Sequence, residues 1–166
     1  YNLLPIAIDG RVPVLTPDDL MDGKRPSGHV VIYDDDHYYM GSVLAELLIQ
    51  NGNRVTFLTP STRVAEWSFN TLEHGLIQSR LLGLGVDIRV TRAVTEVKAG
   101  AVAASCTYTG RVTEIACDAV VMVTARLPNE MLIADLKARA DAWADHGILS
   151  AKAIGDAQAP AAIAWA

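Results

Sequence analysis

The stretch VVIYDDDHYYMGSVLAE, residues 30–46, joins a strand-like run to a helix-like run across three consecutive carboxylates. Val30 to Tyr33 is a short apolar run of the kind buried in a parallel sheet. From Ser42 to Gln50, Val43, Leu44, Leu47 and Leu48 recur at helical spacing, and Asn51-Gly52 supplies a stop. In α/β proteins a strand that turns directly into a helix holds nucleotide phosphates on the free helix amides. Here Asp34, Asp35 and Asp36 fill that junction, so an ordinary phosphate loop does not account for it.

The flanking residues extend the pattern. Arg54 to Thr59 (RVTFLT) is a second strand, giving a strand-helix-strand unit with parallel strands. A helix is expected over Thr71 to Leu84, with Leu72, Leu76, Ile77 and Leu81 aligned, and GVDIRV supplies a third strand ending at Val90. Three β-rich segments follow, Thr95 to Lys98, Val102 to Tyr108 and Val112 to Cys117, joined by glycine turns. They lead into the uniformly apolar AVVMVTA, Ala119 to Ala125. A last helix over Pro128 to Trp143 and a strand KAIGD (152–156) complete the reading. The expected fold class is α/β: a three-layer Rossmann-like domain whose parallel sheet is crossed by an antiparallel β-meander. Residues 1–27, with Pro5, Pro13, Pro17 and Pro26, read as a connector in which only TPDDLMDG is ordered. Thr16 caps it, Pro17 takes the first helical position and Gly23 stops it.

Composition narrows the class. Hydrophobic residues make up 51% of the 166-residue chain and charged residues 20%, enough to bury one core. A net charge of -5, with Lys and Arg scattered singly, offers no footprint for nucleic acid. No apolar run approaches the roughly 20 residues that cross a bilayer, and no signal pattern opens the chain. The expectation is a cytoplasmic protein with no membrane partner. Cys106 and Cys117 read as two buried, reduced thiols. A two-residue hairpin about Thr109 and Gly110 would place Cys106 opposite Thr113 and Cys117 opposite Val102, leaving the sulfurs roughly 13 Å apart.

The carboxylates sit where glycines are needed. A G-x-G-x-x-G fingerprint uses two glycines for close approach of pyrophosphate and a third for helix-strand packing. Gly41 precedes Ala45 by four residues, as the third glycine should, but the first two positions fall on Asp34 and Asp36 in a longer loop. Like charges at 4 Å repel by about 1 kcal/mol in water and about 4 at an effective dielectric of 20. An exposed helix N-terminus attracts an anion by only about 0.3 to 1 kcal/mol. Asp34, Asp35 and Asp36 are therefore expected to oppose phosphate, to cap the helix start themselves and to make NAD(P) binding unfavourable. After the second strand, FLTPSTR places Arg63 where it can meet a 2'-phosphate, the alternative being a solvated loop arginine.

TARLPNE (124–130) resembles the TGRxPN sequence that follows the meander in flavin disulfide reductases, and AIGDA (153–157) resembles their second flavin-nucleotide motif. Within that superfamily, residues 30–46, TLE (71–73) and IGDAQAP (154–160) resemble the C-terminal region of trimethylamine dehydrogenase and related NADH:flavin oxidoreductases of the old yellow enzyme type. The resemblance covers most of residues 14–164. It implies a nucleotide-binding domain of the glutathione reductase type, and a parent with a TIM barrel bearing FMN and a [4Fe-4S] cluster, followed by two such domains with ADP or FAD. Neither a barrel nor a cluster-type cysteine run occurs in these residues. By implication the chain is a piece: 1–27 a connector from the neighbouring domain, 28–147 a degenerate NAD(P)-binding-like domain, and 148–166 the start of a return segment into the FAD/ADP-binding-like domain. Gly41, Arg63, Gly155 and Asp156 are its degenerate-site candidates, the last two matching the family's flavin- or ADP-contacting pair. Its partners would be the barrel and FAD/ADP-type domains of the same polypeptide. The resemblance implies that the parent oxidises a substrate such as a methylated amine at FMN. This piece is expected to hold no cofactor, no metal and no catalytic residue.

Three other readings compete. VVIYDDD also resembles the strand-end D-x-D of haloacid-dehalogenase-type phosphotransferases, with Asp34 and Asp36 as nucleophile and magnesium ligand. Arg63 would serve a functional NADP-binding domain of a flavin reductase. Trp67, Trp143, Trp165 and the Tyr38-Tyr39 pair would mark a docking surface, although Trp143 at helical spacing suits its own core. His29, His37, His74 and His146 lack metal-ligand spacing, His37 reading as a loop histidine, and Ser42 and Ser61 lack a histidine-acid partnership.

Overall fold

The structure, a computed structural model, describes residues 6–160. Its elements run β1 (Ala7–Ile8), β2 (Val14–Leu15), α1 (Pro17–Met21), β3 (His29–Asp34), α2 (Met40–Gln50), β4 (Arg54–Leu58), α3 (His74–Gly83) and β5 (Asp87–Arg89). They continue with β6 (Arg92–Lys98), β7 (Ala101–Cys106), β8 (Val112–Ala116), β9 (Ala119–Val123) and α4 (Met131–Ala138). Two compact units are present, divided after Ala125.

In the first unit a five-stranded sheet, all parallel, has the order β2-β9-β3-β4-β5, and a four-stranded sheet has the order β1-β6-β7-β8. Because side chains alternate along a strand, β3 feeds two cores. Val30 and Ile32 face one cluster with Leu44, Ala45 and Leu48 of α2, Phe57 and Leu81. Val31 and Tyr33 face the other, with Val94 and Val97 of β6, Val102 and Ala104 of β7, and Ile115 of β8. Helices, parallel sheet and meander therefore form three layers, and a strand buried on both faces reads as a continuous apolar run. The leading residues do more than connect: β1 pairs in parallel with β6, and β2 with β9. Thr16 closes a capping box with Asp19 at α1, and Gly23 follows at φ 94°.

Several boundaries differ from the sequence reading. Residues 66–69 form a short 3-10 turn, and Leu72, at φ 63°, lies outside α3 and 89% exposed. The amide of Glu73 donates back to the Ser68 carbonyl (3.1 Å), which postpones α3 to His74. Leu76 is also exposed, so the buried stripe of α3 reduces to Leu81 with Ile77 beside it. The β7-β8 hairpin is shifted by two residues, Val102 facing Ile115 and Ala104 facing Thr113. Five residues, 107–111, separate the two strands, the Gly110 amide donating to the Cys106 carbonyl and Gly110 taking φ 68°. Both cysteines are free, but Cys106 is half-exposed and only Cys117 is buried. A bulge separates Val94 from Glu96 in β6.

The second unit holds α4 and three 3-10 turns, 140–142, 144–146 and 155–157. The helix expected to reach Trp143 stops at Ala138, and no strand forms at 152–156. Trp143 is half-buried, its Nε1 donating to the Leu136 carbonyl (2.9 Å). None of this unit's described residues is buried. Among the described residues no helix is long and apolar enough to cross a membrane. Trp165 lies outside the described residues.

Candidate functional site

The β3-α2 junction is built around Asp34, the last residue of β3. Its side chain is fully buried. Oδ1 accepts the amides of Asp36 and His37, each at 3.2 Å, while Oδ2 is enclosed without a hydrogen-bond partner. The Asp35 amide donates to the Val123 carbonyl (2.8 Å). Three successive loop amides, of the sort that would cradle a phosphate, are thus spent inside the protein.

This differs from a carboxylate capping the helix. α2 has no side-chain cap at Tyr39, and Ser42 Oγ donates back to the Tyr39 carbonyl (2.6 Å). The longer loop lets Asp34 reach amides two and three residues on, an Asx-type turn completed before the helix begins. Nor do three charges face outward: only Asp36 is exposed. Burial raises Asp34 to about 7, with the charge of His37 and the loop amides opposing that rise. Asp35, also buried, pairs with His37 Nε2 at 3.3 Å. Burial pulls His37 down, but the Asp35 hydrogen bond and the charges of Asp34 and Asp35 outweigh it and leave His37 above its ordinary value.

Gly41 touches this carboxyl group. A Cβ there would lie 3.0 Å from Asp34 Cγ and 3.0 Å from Phe57 Cζ. The packing glycine is retained because buried Asp34 and Phe57 crowd the first turn of α2.

Beside the loop, outside the carboxyl ends of β3 and β4, opens a cleft of about 760 Å³. Such crevices are where open parallel sheets take ligands. Asp35, His37, Ser61, Arg63, Trp67 and Asn70 line it. The Arg63 guanidinium lies 4.5 Å over the Phe69 ring, whose other neighbour is His74, stacked at 4.2 Å. The structure therefore brings Asp35 and Arg63 to one cleft and sets Asp34 and Gly41 against each other. Gly155 and Asp156 belong to the second unit, both exposed in a 3-10 turn. That Trp67, Phe69 and His37 line this cleft could not be read from the sequence, which marked Trp67 as a docking-surface candidate and His37 as a loop histidine, since RVAEWSFN has neither helical nor strand periodicity. The one available signal was two aromatics beside Arg63.

A family described as OYE-like second alpha/beta domain matches residues 15–116. Dimethylamine dehydrogenase of Hyphomicrobium sp. (strain x) is 31% identical across 94% of this chain and 24% of its own length. Histamine dehydrogenase from Rhizobium sp. 4-9 superposes with a TM-score of 0.93 at 50% identity, over 99% of this chain and 26% of that one. A 6-hydroxypseudooxynicotine amine oxidase from Pseudomonas geniculata N1 gives 0.84 at 34% identity, over 97% and 25%. The chain spans about a quarter of the length of these relatives. A HOCl-induced flavoprotein disulfide reductase of Escherichia coli shares the fold alone, with a TM-score of 0.59 at 22% identity over 76% of this chain and 28% of that one. The chain belongs to the OYE-like second alpha/beta domain family and is homologous over most of its length to dimethylamine and histamine dehydrogenases of the trimethylamine dehydrogenase family.

Proposed function

We propose that this chain is the nucleotide-domain portion of a flavin-dependent amine dehydrogenase, a relic of a glutathione reductase-type NAD(P) domain that serves architecture and interdomain packing. The observation that carries the reading is Asp34: its buried carboxyl accepts the Asp36 and His37 amides, so the donors a pyrophosphate would use are taken. Exposed Asp36 adds repulsion at the loop mouth. The amine named in each relative's description supports an amine as the parent's substrate.

FMN and an iron-sulfur cluster belong, in this reading, to the barrel of the longer polypeptide. The chain does not fit the cluster, which takes four thiolates, because it has two cysteines, and among the described residues no group of three or more His, Cys, Asp or Glu is placed to hold a metal. By itself the chain is catalytically silent. The exposed apolar side chains of the second unit, Leu127, Leu132 and Leu149 among them, favour cover by the barrel or FAD/ADP-type domain.

A working NADP domain is the second reading, favoured by Arg63 in the cleft. A magnesium-dependent phosphotransferase is disfavoured, since attack on phosphorus needs an accessible carboxylate and Asp34 is sealed. The reading is tested by soaking crystals with NADPH. No ordered pyrophosphate is expected at residues 34–37, and a pyrophosphate bound to those amides would overturn it.

A further inference from the structure

Asp34 holds the β3-α2 loop with one oxygen and leaves the other bare. Oδ1 accepts the Asp36 and His37 amides, each at 3.2 Å, while Oδ2 is enclosed without a hydrogen-bond partner. Ionised, such a group keeps negative charge on an oxygen that reaches neither donor nor solvent. Protonated, it leaves only a neutral hydroxyl unpaired, a much smaller penalty. The closed loop therefore favours the acid. An open loop, with both oxygens in water, favours the anion at any pH above the ordinary carboxylate range. The charges that act on Asp34 come from its own loop: His37 eases its ionisation, Asp36 hinders it, and Asp35 acts through His37. Around it on other elements Gly41 of α2, Phe57 of β4 and Val123 of β9 are uncharged.

The loop is also held shut against strain. His37 takes left-handed backbone, φ 63°, without being glycine, a conformation that persists only while its surroundings enforce it. Its ring is fixed at both nitrogens, Nε2 lying 3.3 Å from Asp35 and Nδ1 3.4 Å from Thr59 Oγ1. Its carbonyl accepts the Trp67 amide (3.0 Å), so the loop is tied to residues 66–69. His37 works in the same direction as Asp34. Burial lowers it, but the Asp35 hydrogen bond and the Asp34 and Asp35 charges outweigh burial and raise it. A base raised by the fold stabilises the closed form while protonated, and that support is lost as pH rises. Both groups thus fasten the loop in acid and loosen it in base.

We infer that the β3-α2 loop is a proton-operated latch: shut while Asp34 is protonated, and opened by loss of that proton, which frees the Asp36 and His37 amides and releases the Trp67 amide from the His37 carbonyl. Opening does not rebuild a phosphate site, because it sets an ionised Asp34 beside Asp36. The latch stands on the loop's own geometry and holds whether or not the domain is a relic. Amide hydrogen exchange of the full chain, followed by NMR between about pH 5 and 8 and divided by intrinsic rates, tests it. For an acid moved from 3.8 to about 7, the opening constant of the Asp36, His37 and Trp67 amides should rise about fiftyfold from pH 5 to 7 and level off near pH 8. The amides of Ile32 in β3 and Phe57 in β4 should stay far better protected throughout, which separates latch opening from global unfolding. Asp34→Asn keeps an acceptor at Oδ1 and cannot titrate, so most of the rise should vanish. Should that variant not fold, the carbon-13 shift of the Asp34 carboxyl group supplies the check: it should titrate where the opening constant levels off. A flat profile in the unsubstituted chain, a profile that follows Ile32 and Phe57, or a carboxyl group titrating near pH 4 overturns the latch.

Discussion

At Asp34 the fold holds a carboxylic acid at about 7, well above the ordinary 3.8, because burial penalises its ionised form. A raised acid favours folding while protonated. The contribution is intact below about pH 4, is lost as pH climbs toward 7, and stays constant beyond. At about 1.36 kcal/mol per pH unit, the loss sums to roughly 4 kcal/mol. Asp34→Asn is neutral throughout, so urea unfolding should show its stability relative to the parent rising between about pH 4 and about pH 7. A constant difference would contradict the buried acid. The two thiols should likewise separate. Hydrogen bonds from the Thr109 side chain and from the Thr109 and Tyr108 amides lower Cys106 to about 7, whereas burial raises Cys117 to about 11. Iodoacetamide near neutral pH, followed by peptide mass spectrometry, should label Cys106 at least about tenfold faster.

Among the elements, α2 and α3 make opposite uses of glycine. Gly41→Ala pushes a methyl group into Asp34 and Phe57, so a loss of about 1–3 kcal/mol in chemical denaturation is expected. Gly75, in the first turn of α3, meets nothing within 4 Å, and Gly75→Ala should stabilise by about 0.4–1 kcal/mol. Elements with strong local chemistry were legible in the sequence. β3, β4 and β9 appear as apolar runs because both their faces are buried, and α1 was marked by Thr16, Pro17 and Gly23. Where a nonlocal bond or a loop conformation decides, the sequence was silent. The Glu73-Ser68 hydrogen bond delayed α3 despite aligned leucines, and left-handed Gly110 closed a longer hairpin than the Thr-Gly pair implied. The site followed the same division. Gly41 and the three aspartates could be found by spacing, but that Asp34 is sealed from water while its Oδ1 takes the loop amides depends on tertiary burial, which no local pattern encodes.

For the molecule as a whole, both cores lie within residues 12–123, and the second unit has no buried residue among those described. A chain ending at Ala125 should unfold in one cooperative urea transition, within about 1 kcal/mol of the full chain. A larger loss, or a non-cooperative transition, would assign residues 126–166 a structural share that the two cores do not. The loop where a coenzyme's pyrophosphate would lie is closed by its own carboxyl group, Asp34 accepting the Asp36 and His37 amides. Isothermal titration of the full chain with NADH tests this most directly: no saturable binding at micromolar coenzyme is predicted, and a micromolar Kd abolished by substitutions at residues 34–37 would contradict it.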